Sequence, residues 1–206
     1  MPSLHWSELI ASGGPTLLFL CICFLVTVVL IIERAAYFRA RFREIATVQA
    51  RLRSEQTGNA IARDSLQMLD SPATYVLFEV YPEAHDMAGF DEVKSRAVAE
   101  KLPEIERYLG VLATLGTVSP YIGLLGTVFG IIRAFMSLGG GPQGESAISG
   151  LNAGIAESLA ATAAGLLVAI PATIAFNHFR KRADELVTSI EICASRLKML
   201  LVRGKS

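Results

Sequence analysis

Residues 109–135 read LGVLATLGTVSPYIGLLGTVFGIIRAF and residues 154–177 read GIAESLAATAAGLLVAIPATIAFN. No Asp, Glu, Lys or Arg occurs from Tyr108 to Ile132 or from Ser158 to Phe179. Each uncharged run is about the length, roughly 20 residues, that a helix needs to cross a hydrocarbon core about 30 Å thick. On a helix turning about 100° per residue, Gly116, Pro120, Gly123, Thr127, Gly130 and Ala134 fall in one stripe of the first run. Ser158, Thr162, Gly165 and Ala169 make a similar stripe on the second, with Glu157 at its edge. Small residues let helices approach closely in lipid, and hydroxyls there can bond to the carbonyl of the preceding turn. Packing is therefore one reading of Gly116, Pro120, Gly123, Gly130 and Gly165. Glu157 asks for more, because an ionisable group inside a span costs roughly 2.5–3.5 kcal/mol on insertion scales and needs a partner or water. Arg133, near the end of the first run, stands at a depth similar to that of Glu157, near the start of the second, so the two form a candidate ion pair. Thr127, Ser158 and Thr162 with Glu157 are candidates to line a narrow hydrated path for protons.

A third apolar run, Pro15 to Ile32 (PTLLFLCICFLVTVVLII), precedes these two. It exceeds the apolar region of a signal peptide and no Lys or Arg comes before it, so it reads as an uncleaved anchor. Basic residues set the orientation. None occurs in residues 1–14 or in the loop Leu138–Leu151, whereas Arg34, Arg39, Arg41, Arg43, Arg51, Arg53 and Arg107 flank the connection between the first two spans. Arg180, Lys181 and Arg182 follow the third. The N-terminus is expected in the periplasm and the C-terminus in the cytoplasm of a bacterial inner membrane. The expected organisation is an outer N-terminus (1–14), a span (15–33), a cytoplasmic helical segment (34–107), a second span (108–138), an outer loop (139–151), a third span (152–179) and a cytoplasmic C-terminal helix (180–206). The fold class is thus all-α, with three transmembrane helices.

The cytoplasmic segment is punctuated by Gly58-Asn59, Ser71-Pro72, Pro82 and Gly89 and reads as short helices with turns. Its last part, from about Asp91, is expected to run as one long helix into the second span, since Pro103 need not end it. After the third span, Leu186, Ile190, Cys193, Leu197 and Leu200 recur at alternating spacings of four and three, a heptad seam that needs a partner helix. A helix from about Asn152 to Leu201 would be on the order of 75 Å long.

The formal net charge is +0, and no basic patch interleaved with aromatics is present, which argues against nucleic acid as a partner. Cys21, Cys23 and Cys193 read as small hydrophobes, and His5, His85 and His178 lie in three different regions, so no metal site is expected. Neither a nucleotide fingerprint nor a nucleophile triad occurs, and Glu157 with Arg133 lacks the second acid or nucleophile that an enzyme would want. No enzyme and no cofactor are expected. A structural scaffold whose stripes serve only assembly is the competing reading.

The paired motifs, in kind, order and spacing, resemble the MotA/TolQ/ExbB proton-channel family over residues 109–177, and the stretch SGGPTLLFLCICFLVTVVLIIERAAYF is similar to an ExbB-type first span. The resemblance implies three transmembrane helices with long cytoplasmic extensions. It also implies assembly as a homo-pentamer in membrane lipid, with a pore lined by the second and third helices around the single membrane helices of an ExbD- or TolR-like partner dimer. Proton flow would be coupled through that partner to a TonB- or TolA-like protein, the translocated ion being H+. The family's polar pore positions map onto Thr127 in GLLGTVFG, Glu157 in GIAESL and Thr162 in LAATAAG, while the proton-carrying aspartate belongs to the partner. Arg133 matches no recognised pore position. Short length and the first span favour the ExbB type, powering TonB-dependent outer-membrane transport. The TolQ type of the Tol-Pal envelope system is the alternative, and a four-span MotA type fits least.

Overall fold

The computed structural model describes residues 14–54, 71–83, 89–139 and 145–203, all helical apart from short connections. In chain order the helices are α1 (Gly14–Ser54), α2 (Pro72–Glu83), α3 (Phe90–Ile105), α4 (Leu109–Gly139) and α5 (Glu145–Arg203). Helices α1, α4 and α5 are long and apolar enough to cross a membrane, so this is an all-helical, multi-pass membrane protein. The expected outer N-terminus and the punctuated stretch 55–70 lie outside the described residues.

Two compact units divide the chain. One takes residues through Ile32 with Tyr108–Asn177; the other takes Glu33–Arg107 with His178–Ser206. The first is apolar outward as well as inward: Leu25, Val29, Leu167 and Ile174 are exposed, as hydrocarbon-facing side chains should be. On the inner face of its α1 segment lie Leu17, Leu20, Cys23 and Thr27, and the Thr27 hydroxyl donates to the Cys23 carbonyl at 2.8 Å.

The second unit packs like a water-soluble bundle. On its part of α1, Phe38, Ile45, Val48 and Leu52 are buried, and on α5 so are Phe179, Leu186, Ile190, Cys193 and Leu197. The heptad seam expected on α5 therefore finds its cover within the chain. Phe38 and Phe179 stack at 5.7 Å between centroids, and burial pushes the Cys193 thiol above its usual pKa. Val76, Leu77 and Val80 of α2 and Phe90, Ala97 and Ile105 of α3 complete this core. Ser71 caps α2 by accepting the Thr74 N–H at 3.3 Å. Arg34 is buried, which a guanidinium tolerates only with partners: it pairs with Glu33 at 2.6 Å, donates to the Ile105 carbonyl at 3.4 Å and lies over the Tyr37 ring. The Tyr37 hydroxyl donates to Glu104 at 3.3 Å. Burial, reinforced by the Glu104 charge, pushes that phenol up to about 12, so it remains a donor.

Three expectations are corrected. The segment after the first span does not break into short helices at once, because α1 continues to Ser54: no Gly or Pro interrupts residues 16–54, and their apolar stripe is buried. Nor does a single helix join residue 91 to the apolar run that begins at Leu109. Helix α3 ends at Ile105, Glu106 N–H caps it by donating to the Leu102 carbonyl, and Tyr108 takes a left-handed φ of 64° before α4 begins. Arg34 takes up the Ile105 carbonyl that a continuous helix would have used. Finally, the stretch read as a loop over 139–151 is already helical from Glu145, so that α5 is 59 residues long.

Candidate functional site

Helices α4 and α5 run antiparallel through the apolar unit and meet along a glycine seam. A Cβ on Gly123 would stand 2.8 Å from the Ala161 carbonyl oxygen and 3.1 Å from the Thr162 Cα. One on Gly130 would stand 2.8 Å from the Ser158 Cβ, and one on Gly165 only 2.7 Å from the Ser119 carbonyl oxygen. At Gly116 the obstacle is the Thr173 hydroxyl, 2.5 Å away. The pairings 116 with 173, 123 with 162, and 130 with 158 step in opposite directions along the two helices, as an antiparallel pair requires. These glycines lie face to face with the neighbouring helix, which is the packing reading of the stripe; Pro120 sits beside them, half-buried.

The seam is wider than the stripe read from sequence. Gly126 lies against Ala161 and against Thr16 of α1, and Gly154 against Ala134. Ser119 is buried in the seam, its hydroxyl without a hydrogen-bond partner. The spacing Gly116, Ser119, Gly123, Gly126 and Gly130 alternates three and four, a heptad of small residues that would have revealed Ser119 and Gly126.

The polar residues stand on either side of this seam. Arg133 Nη1 lies 3.2 Å from Glu157 Oε1, so the candidate ion pair is formed, with Arg133 largely exposed and Glu157 mostly covered. The Thr162 hydroxyl donates across the seam to the Gly123 carbonyl at 3.4 Å, and that of Thr127 bonds within its own helix to the Leu124 carbonyl at 2.6 Å. Ser158 is buried and bonds back to the Ile155 carbonyl at 2.7 Å.

Rotation about the helix axes sorts these groups. Glu157 and Thr162 are five residues apart, about 140° around α5, and Thr127 and Arg133 are about 120° apart around α4. The seam lies between the members of each pair. In an antiparallel pair, rotations of the same sense from the seam fall on the same side. The Arg133–Glu157 pair therefore occupies one flank, the side on which Thr16 of α1 meets Gly126, while Thr127 and Thr162 share the opposite flank. Two hydroxyls thus face the same flank, each with its hydrogen donated to a backbone carbonyl and its oxygen able to accept a hydrogen bond. A carboxylate tied to a guanidinium stands across from them. Among the described residues no three His, Cys, Asp or Glu side chains gather as a metal would require.

The family model described as the MotA/TolQ/ExbB proton channel family matches residues 41–192. Tol-Pal system protein TolQ of Pseudomonas aeruginosa is 38% identical over 117 residues, covering 57% of this chain and 50% of the relative. TolQ of Haemophilus influenzae is 41% identical over 110 residues, covering 52% of this chain and 47% of the relative. Biopolymer transport protein ExbB of Salmonella typhimurium is 30% identical over 186 residues, covering 82% of this chain and 75% of the relative. The matched region spans about half the length of the two TolQ relatives.

Proposed function

Since the chain belongs to the MotA/TolQ/ExbB proton channel family, we propose that it is the pore-forming subunit of a proton-driven motor in a bacterial inner membrane. Five copies surround the single-span helices of an ExbD-like partner dimer, and proton flow is coupled through that dimer to TonB-dependent transport at the outer membrane. The observation that carries this reading is the shared flank of Thr127 and Thr162. Two hydroxyls on neighbouring helices, on one side of a closely packed glycine seam, make a polar wall for a proton carried by the partner's carboxyl. Glu157 acts from the other flank. Held by Arg133, it shapes the potential at the outer end of the path. H+ is favoured over a metal cation because two hydroxyls and one carboxylate supply too few oxygens for a cation cage. The N-terminus is periplasmic and the C-terminus cytoplasmic.

The ExbB reading rests on the longer match, over most of the chain, to an ExbB protein. A TolQ-type role in the Tol-Pal envelope system is supported by the higher identity of the TolQ relatives over a shorter match.

The test is proton uptake in vesicles holding this chain with its partner. Thr162→Ala is expected to lower it by about 100- to 10,000-fold, the range one positioned proton-transfer group supplies, with assembly unchanged by size. Normal uptake in Thr127→Ala/Thr162→Ala would overturn the reading and leave the scaffold alternative. Complementation of strains lacking ExbB or TolQ then separates the two branches.

A further inference from the structure

In the unit formed by Glu33–Arg107 and His178–Ser206, α1 and α5 leave an open cleft of about 470 Å³. On the α1 side its rim carries Arg39 and Arg43, one turn apart; on the α5 side it carries His178 and Arg182. Phe42 lies half-buried at its floor, where the almost fully buried Phe38 and Phe179 show only their edges. Arg182 lies over the Phe42 ring at 5.3 Å and pairs with Glu185 at 3.1 Å. Arg39 and Arg43 are exposed and make no ion pair with any described carboxylate, although α1 and α3 are otherwise laced with such pairs, as between Arg41 and Glu44.

The cleft begins where both helices leave their apolar runs. Ala35 comes three residues after Ile32, and His178 directly follows Asn177. Basic residues at this level are general in membrane proteins, but a diffuse field requires neither a cleft nor an aromatic floor. Two unpaired guanidinium groups one turn apart suit a phosphodiester, which takes hydrogen bonds from such forks. The phenyl floor suits the glycerol and the first methylenes attached to it. A free phosphate would have no use for that floor.

We propose that this cleft binds the headgroup of an anionic phospholipid, with Arg39 and Arg43 on the phosphate and Phe38, Phe42 and Phe179 against the glycerol and upper acyl chain. The site rests on the membrane-spanning fold and is independent of ion conduction, so it stands or falls separately from the proton path.

The experiment is native mass spectrometry of the full chain released from nanodiscs of equimolar phosphatidylglycerol and phosphatidylcholine. Wild type is expected to retain phosphatidylglycerol about thirtyfold over phosphatidylcholine, at roughly 1 kcal/mol for each of the two arginines near an anionic surface. Arg39→Gln/Arg43→Gln removes that preference, Arg39→Lys/Arg43→Lys restores part of it, and Lys181→Gln, a charge loss next to the cleft but not lining it, keeps it. Circular dichroism shows that each variant is folded. Equal retention of the two lipids by wild type overturns the proposal, as does an unchanged preference in the double glutamine variant or an equal loss in Lys181→Gln. Displacement of phosphatidylglycerol by inorganic phosphate would make the ligand a free anion. A change in oligomer mass without a change in lipid would make the cleft a contact between copies. Either result overturns the lipid assignment.

Discussion

Helix α5 packs in two different ways along its length. Toward its start, Gly154, Ser158, Ala161 and Gly165 bring it within backbone contact of α4; beyond Asn177, Phe179, Leu186, Ile190 and Leu197 pack as bulky side chains in a core. The difference is one of solvent. In lipid, a leucine gains little by leaving a neighbouring acyl chain for another leucine, so association rests on close contact and dispersion, which small residues permit. In water, burial itself is the driving force and scales with apolar area, which large residues supply. A change of packing residue along one uninterrupted helix thus marks where the surroundings change.

The sharpest way to break this contrast is to exchange the residue types. Gly123→Leu puts a side chain where even a Cβ would meet the Ala161 carbonyl oxygen at 2.8 Å. Separation of α4 from α5 and loss of the assembled protein are expected, read by size-exclusion chromatography in detergent. Leu197→Ala, in the other unit, should cost about 2–5 kcal/mol, the usual range for an emptied core leucine, because Leu197 is fully buried. Limited proteolysis should then cut the α5 extension, while the α4–α5 pair of the apolar unit stays protected. A smaller effect is expected at Ser119, whose hydroxyl is buried without a partner. Ser119→Ala removes that unsatisfied group and should be neutral or stabilising by about 1 kcal/mol in a thermal melt of the solubilised protein. The mildest expectation concerns Cys193. Its raised pKa leaves less thiolate near neutral pH than an exposed cysteine has, so alkylation of the folded protein should be slow and should accelerate only at more alkaline pH. Alkylation as fast as in the unfolded chain would show that this core is open.

Much of the architecture was legible in the residues. Three long apolar runs announced three spans, and the four-three spacing of Leu186, Ile190, Cys193 and Leu197 announced a buried seam. The Arg133–Glu157 pair followed from similar depth alone. The break at Tyr108 did not, because the segment from Asp91 to Leu102 and the run from Leu109 are both good helix material; the left-handed turn is held by capping hydrogen bonds and by Arg34, seventy-one residues away from Ile105 in sequence. The extension of α1 to Ser54 was hidden for a related reason. Its stripe from Phe38 to Leu52 skips turns and becomes a stripe only when the face that α5 covers is known.

The candidate site divides in the same manner. Sequence by itself determined that Thr127, Glu157 and Thr162 are polar groups within apolar helices, because composition and period are local properties of a chain. Only the tertiary structure decided that Thr127 and Thr162 share one flank of the glycine seam while Arg133 holds Glu157 on the other. A residue's angle about its own helix is fixed by its number, but which side that angle faces depends on where the second helix lies and in which direction it runs.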